Sequence, residues 1–590
     1  MSGANLLEPA NVASVVGFCR KQEADPSSVD AVDTGKNGLI ACGIFLIVLA
    51  IYALSNPGRI DITDGEARFD VAHNWLVTGR PIMRDRWIAP FMSVPGRGEL
   101  RYSYYGAPAS VFSMPLVWLG LHTSGPAIQR SQFLFSFTSS IIGAGIAPVL
   151  FLFYLELGLI QRKAFAWTMV SSFATLVWPS SNTTFDNAQH AFFALAAAYF
   201  GFLSARRRSL GFAVLGGLMG GILVLYQGYF LLIIPALALL TVEGEVGEGS
   251  ENLAPGTKSE AILSRIAFSA NRAVRGVMAF IDAAWQGKGE TRSSCVRCCV
   301  FLAGVGLGLI VSFAYNHLRF GAWLDDGKVR AITASTYPLF GNPMAGLLTL
   351  LISPGKSILL YSPTLIFGFL GIGYFWRQHR KIAQAVVLST IALVSFLSCI
   401  DFAAGDWCWG PRYLTILLPL WALAFPFIPV KRLSQHTVLA IVGVSFLVQA
   451  MSLTVETQRF FFERGFKDYF WVEDKWVYFK HSALFARVGE TLTLADGPPS
   501  TARFFSSAPA TEGCTYTILG PPPQWPRSIS PIWMRNFKIY YLPRPWPLWM
   551  SYLPPALRPV RIGDWLLGLF GLTVLGAGLI HRGFQQGSER

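Results

Sequence analysis

Gly38-Leu-Ile-Ala-Cys-Gly-Ile-Phe-Leu-Ile-Val-Leu-Ala-Ile-Tyr-Ala-Leu-Ser55 is an uninterrupted apolar run, and Asp61-Ile-Thr-Asp-Gly-Glu-Ala-Arg-Phe-Asp70 follows it almost at once. The first stretch has the length of a membrane-crossing helix. The second is acidic in a chain that is mostly neither polar nor charged. Carboxylates placed just past a span are costly, and such groups mark function. Of the 590 residues 52% are hydrophobic and 14% charged, with mean hydropathy +0.43. Average soluble chains carry about 25% charged residues. The composition therefore predicts an all-α polytopic membrane protein.

The net charge of +14 does not indicate nucleic acid. The basic residues cluster beside the apolar runs, as the positive-inside bias requires, and no basic recognition motif occurs. Cys295-x-x-Cys298-Cys299 lacks a second ligand pair at metal-site spacing, so no metal site and no disulfide framework is expected. Residues 1–37 are polar without a basic leader, which predicts a retained anchor after a cytoplasmic tail.

Apolar runs suited to spanning occur at 38–55, 131–155, 164–178, 189–204, 209–225, 228–242, 296–315, 357–375, 382–400, 413–429, 437–454 and 563–581. Stretch 106–121 is also apolar. Reading it as an interfacial or re-entrant helix puts Arg162/Lys163, Arg206–Arg208, Lys258–Arg297, Arg377–Lys381, Lys431/Arg432 and Arg582 on one side. The resulting topology has about twelve spans and both termini in the cytoplasm. Loop 56–130 and segment 455–562 are then external, and loop 243–295 is cytoplasmic. Within that loop Ala261–Trp285 suits a helix on an anionic leaflet. Segment 455–562 starts with the aromatic stretch Phe460–Tyr478, which suits a membrane-surface helix. It continues through Gly520-Pro-Pro-Pro523 and Pro543-Arg-Pro-Trp-Pro547, and reads as a cap over the outer face. Residues 563–590 supply the last span and a tail.

Four polar islands fall on the expected outer side. In the first, Thr63-x-x-Glu66 matches a capping box, and Gly79 with Pro81 ends the helix that follows. Glu66 thus has a structural role available. Asp64 suits the helix N-terminus and stands four residues before Arg68, the spacing of a surface ion pair. Asp70 reads as a solvated or paired face residue. In the second island, Trp178–His190, Asp186 and His190 share a helix face at the mouth of a span. Asp186 is either a helix cap or a polar pocket group. Asn182-Thr-Thr184 has the form of a glycosylation sequon. The third contains Ser353-Pro-Gly-Lys356 and runs to Pro363. It lacks the upstream glycine of a phosphate loop, so an NTPase is excluded. Lys356 is either a snorkelling anchor or a phosphate ligand. In the fourth, Gly405-Asp-Trp-Cys-Trp-Gly-Pro-Arg-Tyr413, Arg412 has the fork geometry for phosphate, although the aromatics also suit a membrane belt. Asp325 and Asp326 are explained by a turn.

Thr63-Asp-Gly-Glu-Ala-Arg-Phe69 with its helix, Tyr104-Tyr-Gly106, Ser353-Pro-Gly-Lys with Tyr361-Ser-Pro363, and Trp409-Gly-Pro-Arg-Tyr413 together resemble the GT-C superfamily of polyprenyl-phosphate-sugar glycosyltransferases. The nearest likeness is to bacterial relatives of protein mannosyltransferases and lipid A aminoarabinose transferases. It spans most of 38–454, which would then be a GT-C-like transmembrane catalytic domain. The resemblance implies inverting transfer of a sugar from a polyprenyl-phosphate donor to an acceptor hydroxyl on the extracytoplasmic face of a bacterial inner membrane. Asp64 would be the general base, with Glu66 the other candidate because Gly65 separates the two acids. Lys356 and Arg412 would hold the donor phosphate. Arg68, Tyr105, Asp186, His190, Tyr361, Trp409 and Tyr413 would line the substrate pocket. The acceptor would be a glycan, lipid or protein, with membrane lipids around it. Some relatives bind a divalent cation beside the base, and Asp64, Glu66 and Asp186 are the acids available for one. A transporter or flippase for a lipid-linked saccharide, or a non-catalytic assembly subunit, are the other classes this pattern allows.

Overall fold

The computed structural model describes residues 34–85, 89–123, 127–243, 289–334, 339–401, 405, 407–429, 433–457, 460, 482–493, 543–551, 555 and 558–586. The N-terminal tail, the expected helix Ala261–Trp285 and nearly all of Phe460–Tyr478 and 494–542 lie outside them.

The chain is a multi-pass membrane protein and mostly helical. Among the described residues seven helices are long and apolar enough to cross a membrane: Gly35–Ser55, Ala127–Glu156, Asn187–Arg206, Arg292–Phe320, Arg380–Ser398, Gln435–Ser452 and Ile562–Gln585. The other five expected spans are helical but short or broken. Leu210–Tyr226 has 17 residues, and Gln161–Phe173 stops before the short turn Val177–Ser181. Run 228–242 is a 3-10 turn, an α turn starting Ile234-Pro235, and another 3-10 turn. Run 357–375 divides at Ser362-Pro363 into Ile358–Tyr361 and Leu365–Gln378. Run 413–429 is likewise 3-10, α, 3-10, with Pro419 and Pro426 at the restarts. Proline removes a helix donor and crowds the preceding turn, so an apolar run of spanning length is not always one helix.

Close packing rests on glycine. A Cβ on Gly217 would strike the backbone of Phe301, and one on Gly308 the backbone of Gly221. Gly217/Gly221 and Gly304/Gly308 thus bring Leu210–Tyr226 and Gly289–Phe320 into backbone contact through two small-xxx-small faces. Gly43 and Gly576 do the same for the first and last helices. On the flanks Phe369, Leu567 and Phe570 are exposed, as side chains facing lipid are.

The first loop carries the site. It contains the helix Thr63–Thr78 and a small antiparallel hairpin, β1 (Ser93–Pro95) with β2 (Arg101–Ser103), Val94 opposite Tyr102. The helix Pro108–His122, 15 residues long, follows. Arg319, at the end of a span, donates to the carbonyls of Ser103 and Tyr105 and so fixes the hairpin. Arg330 reaches the Pro95 carbonyl at 2.8 Å.

Candidate active site

The first-loop helix begins one residue earlier than the capping-box pattern predicts. Ile62 is the cap residue, and its carbonyl accepts from Gly65 and Glu66 N–H at 3.0 and 3.1 Å. The capping box does not form: Thr63 is already helical, and no side chain caps the end. Asp61 turns away to accept from the backbone and hydroxyl of Thr184, at 2.8 and 2.6 Å. Gly65 is explained by the same contact, because a Cβ there would collide with the Thr184 side chain. The far end is as expected: Gly79 is left-handed (φ 71°) and bonds back to Trp75.

This packing brings the 183–187 turn against the helix and gathers four charges. Arg68 is buried, not on the surface. Its Nη2 lies 2.8 Å from Asp186 Oδ2 and 3.9 Å from Asp64 Oδ2. Its guanidinium also lies 4.5 Å from the centre of the Tyr105 ring. Asp186 occupies the cap position of Asn187–Arg206, yet its side chain makes no cap bond and is spent on Arg68, with His190 Nε2 at 3.5 Å. Burial alone would raise the Asp186 pKa; Arg68 and His190 outweigh it and hold the carboxyl well below the usual range. Arg412 approaches from the other side, Nη1 3.5 Å from Asp64 Oδ2 and Nη2 donating to the Tyr413 hydroxyl at 3.1 Å. Its guanidinium stacks on Phe185 at 3.8 Å. Half-buried Asp64 therefore sits between two guanidinium groups. Burial, and next to it the charge of Asp64, push the Tyr104 and Tyr105 phenols up.

Lys356 is buried rather than snorkelling. Its Nζ donates to the carbonyls of Cys408 and Gly410, at 2.8 and 3.3 Å. Tyr361, behind it, donates to the Gly355 carbonyl at 3.0 Å and packs edge-on against Trp409 at 5.0 Å. These three hold the turn that presents Arg412. Asp70 accepts from Asn74 and from the backbone of Arg84 and Asp85, so it ties the helix to the next loop. Burial raises its pKa to about 6. Asp325 and Asp326 accept from the backbone two residues on, the expected turn. Asn182 is fully buried against Ser55 and Ser140, so the sequon is closed to modification in the folded chain. Among the described residues no three His, Cys, Asp or Glu side chains converge as metal ligands. A cation beside Asp64 would compete with two arginines, so the donor set does not suit one.

A narrow cleft lies beyond Arg412, lined by Phe185, Trp407 and Trp409. Its floor is an ion network that sequence reading missed. Arg544 pairs with Asp61 at 3.2 Å and Glu456 at 3.3 Å, and Glu456 with Arg59 at 3.2 Å, all four buried. The one available signal was a lone arginine between prolines in Pro543-Arg-Pro-Trp-Pro547.

The fold is similar to solved structures at low identity. ArnT from Cupriavidus metallidurans bound to undecaprenyl phosphate is 12% identical with TM-score 0.43, covering 93% of this chain and 79% of that one. Its apo state gives 12%, 0.42, 94% and 78%. The Archaeoglobus fulgidus oligosaccharyltransferase in the apo form gives 14%, 0.38 and 74% of this chain, which spans 59% of the archaeal one. No protein family and no characterised protein matches the sequence.

Proposed function

We propose that this chain is an integral-membrane glycosyltransferase that moves a sugar from a polyprenyl-phosphate donor to an acceptor hydroxyl on the extracytoplasmic face, with inversion. The observation that carries the reading is Asp64, a half-buried carboxylate with one oxygen within 4 Å of both Arg68 and Arg412, in the loop after the first span. That is what the motif resemblance asks of a general base with cations beside it.

In this mechanism Asp64 Oδ2 takes the acceptor hydroxyl proton as the oxygen attacks the anomeric carbon. The bond from that carbon to the phosphate oxygen breaks, and its electron pair leaves on the lipid phosphate. A base so placed is worth about 10²–10⁴ in rate. Arg412 balances the departing charge, the larger electrostatic contribution in such reactions. Lys356 acts through the Cys408–Gly410 turn that orients Arg412. Asp186 fixes Arg68, and Tyr105 and Tyr413 flank the reacting groups.

The test is label transfer by purified protein in detergent, from a radiolabelled polyprenyl-phosphate sugar to an envelope acceptor fraction, beside heat-denatured protein. Label in the acceptor only with native protein is expected. Label left on the lipid across several donor sugars, with uptake into reconstituted vesicles, would favour a transporter.

A further inference from the structure

The helix Ala483–Thr493, between the spans Gln435–Ser452 and Ile562–Gln585, has its polarity inverted. Its charged residues, Arg487 and Glu490, are buried and pair with each other at 2.9 Å. Phe485, Val488 and Leu492 recur at the spacing of one helix face, and all three are exposed, Leu492 by 67%. A helix on a water-facing surface shows the opposite order, apolar side chains against the protein and charges outside.

The inner face has a definite task. Arg487 donates to the carbonyls of Val455 and Ser452, and its guanidinium lies 5.1 Å from the centre of the Trp409 ring. Ser482, just ahead of the helix, donates to the Pro354 carbonyl at 2.8 Å. The helix therefore braces the 353–357 and 408–412 turns, and through them Arg412. The same contacts fix which face points outward.

The neighbours of the outward face identify what it meets. Thr491 and Thr454 share a hydroxyl hydrogen bond at 2.7 Å, and Arg487 reaches Ser452, so the helix sits on the end of the span Gln435–Ser452. That span exposes Leu439, Val444, Phe446 and Leu447, as a lipid-facing flank does. An apolar strip free of charged side chains, joined to the end of a lipid-facing helix, is stabilised by hydrocarbon and not by water.

We propose that Ala483–Thr493 is an interfacial helix seated in the leaflet beside the site, with Val488 and Leu492 among the lipid chains and Arg487 and Glu490 turned to the protein. The bilayer then holds the element that braces the Arg412 turn. The proposal does not depend on the glycosyltransferase reading.

The experiment is photolabelling of the full-length chain in phosphatidylethanolamine–phosphatidylglycerol vesicles containing a phospholipid with a diazirine on its acyl chain. Adducts are located by peptide mass spectrometry, and Leu447 and Leu567, exposed on spans, are the internal standards. Val488 and Leu492 are expected to label within about threefold of those standards, because an interfacial helix buries its apolar face at the headgroup–acyl boundary. Hydroxyl-radical footprinting of the same vesicles should leave both residues as protected as the standards. A strip covered by a second copy, or by another part of this chain, takes no lipid label, and a strip in water is modified by the radicals. Either result, with the standards labelled, overturns the proposal. Leu492→Glu should lower the melting temperature in vesicles by about two degrees or more, because a carboxylate is costly in lipid, whereas Leu492→Met should not move it. At a water-facing position the Glu change is close to neutral, so an unchanged melting temperature also overturns the proposal.

Discussion

Two acids that look alike in sequence have different work. Asp186 is locked to buried Arg68, so Asp186→Asn leaves a guanidinium short of its main partner. Breaking a buried pair costs about 3–5 kcal/mol. The variant is expected to lose both thermal stability and transfer, whereas Asp64→Asn, at a half-buried site, loses transfer alone. Melting curves in one detergent separate the two. Asp70 gives a pH test. Its carboxyl rises from 3.8 to about 6 on folding, so the folded chain holds that proton more tightly. The stability it contributes is full below pH about 4 and is lost as pH rises through about 6. Asp70→Asn removes that dependence. Relative to wild type the variant should gain about 1–3 kcal/mol between pH 4 and 7, read as a growing difference in melting temperature. A constant difference across that range would refute it.

At the scale of elements, glycine faces set which helices touch. Gly308→Leu drives a side chain into the backbone at Gly221, whereas Gly306 has open space around its Cβ. Overpacking costs about 1–3 kcal/mol. Gly308→Leu should lower the melting temperature, and Gly306→Leu should leave it within about a degree or two. Much of this level was legible in sequence. The helix after Asp64, its end at Gly79, and the first and last spans stand where apolar length and turn chemistry put them. The capping box was misread because Asp61 and Gly65 answer to Thr184, a residue over a hundred positions away. The broken runs near Pro235 and Pro419 were misread because hydropathy counts apolar residues without asking whether each can donate a backbone hydrogen bond.

Across the whole molecule, the segment before the last helix meets the loop after the first. Arg544 reaches Asp61 from 483 positions away, and Trp546 and Trp549 donate to the carbonyls of Ala53 and Pro57, at 2.9 and 2.7 Å. Arg544→Ala strips Asp61 and Glu456 of a shared cation, with an expected loss of about 3–5 kcal/mol. Unchanged thermal stability in that variant would mean the network does not hold these segments together. No local pattern announces such a contact, because each partner looks like an ordinary loop charge until the fold joins them. Arg412 was legible for the opposite reason: glycine, proline and aromatics beside one arginine form a local pattern that few loops share.

The most direct test of the account is the single-turnover transfer rate of wild type, Asp64→Asn and Glu66→Gln on one lipid-linked donor. The account predicts a fall of about 10²–10⁴-fold for Asp64→Asn and less than about tenfold for Glu66→Gln. Wild-type rates from Asp64→Asn, with loss in Glu66→Gln, would move the base to Glu66 and contradict it.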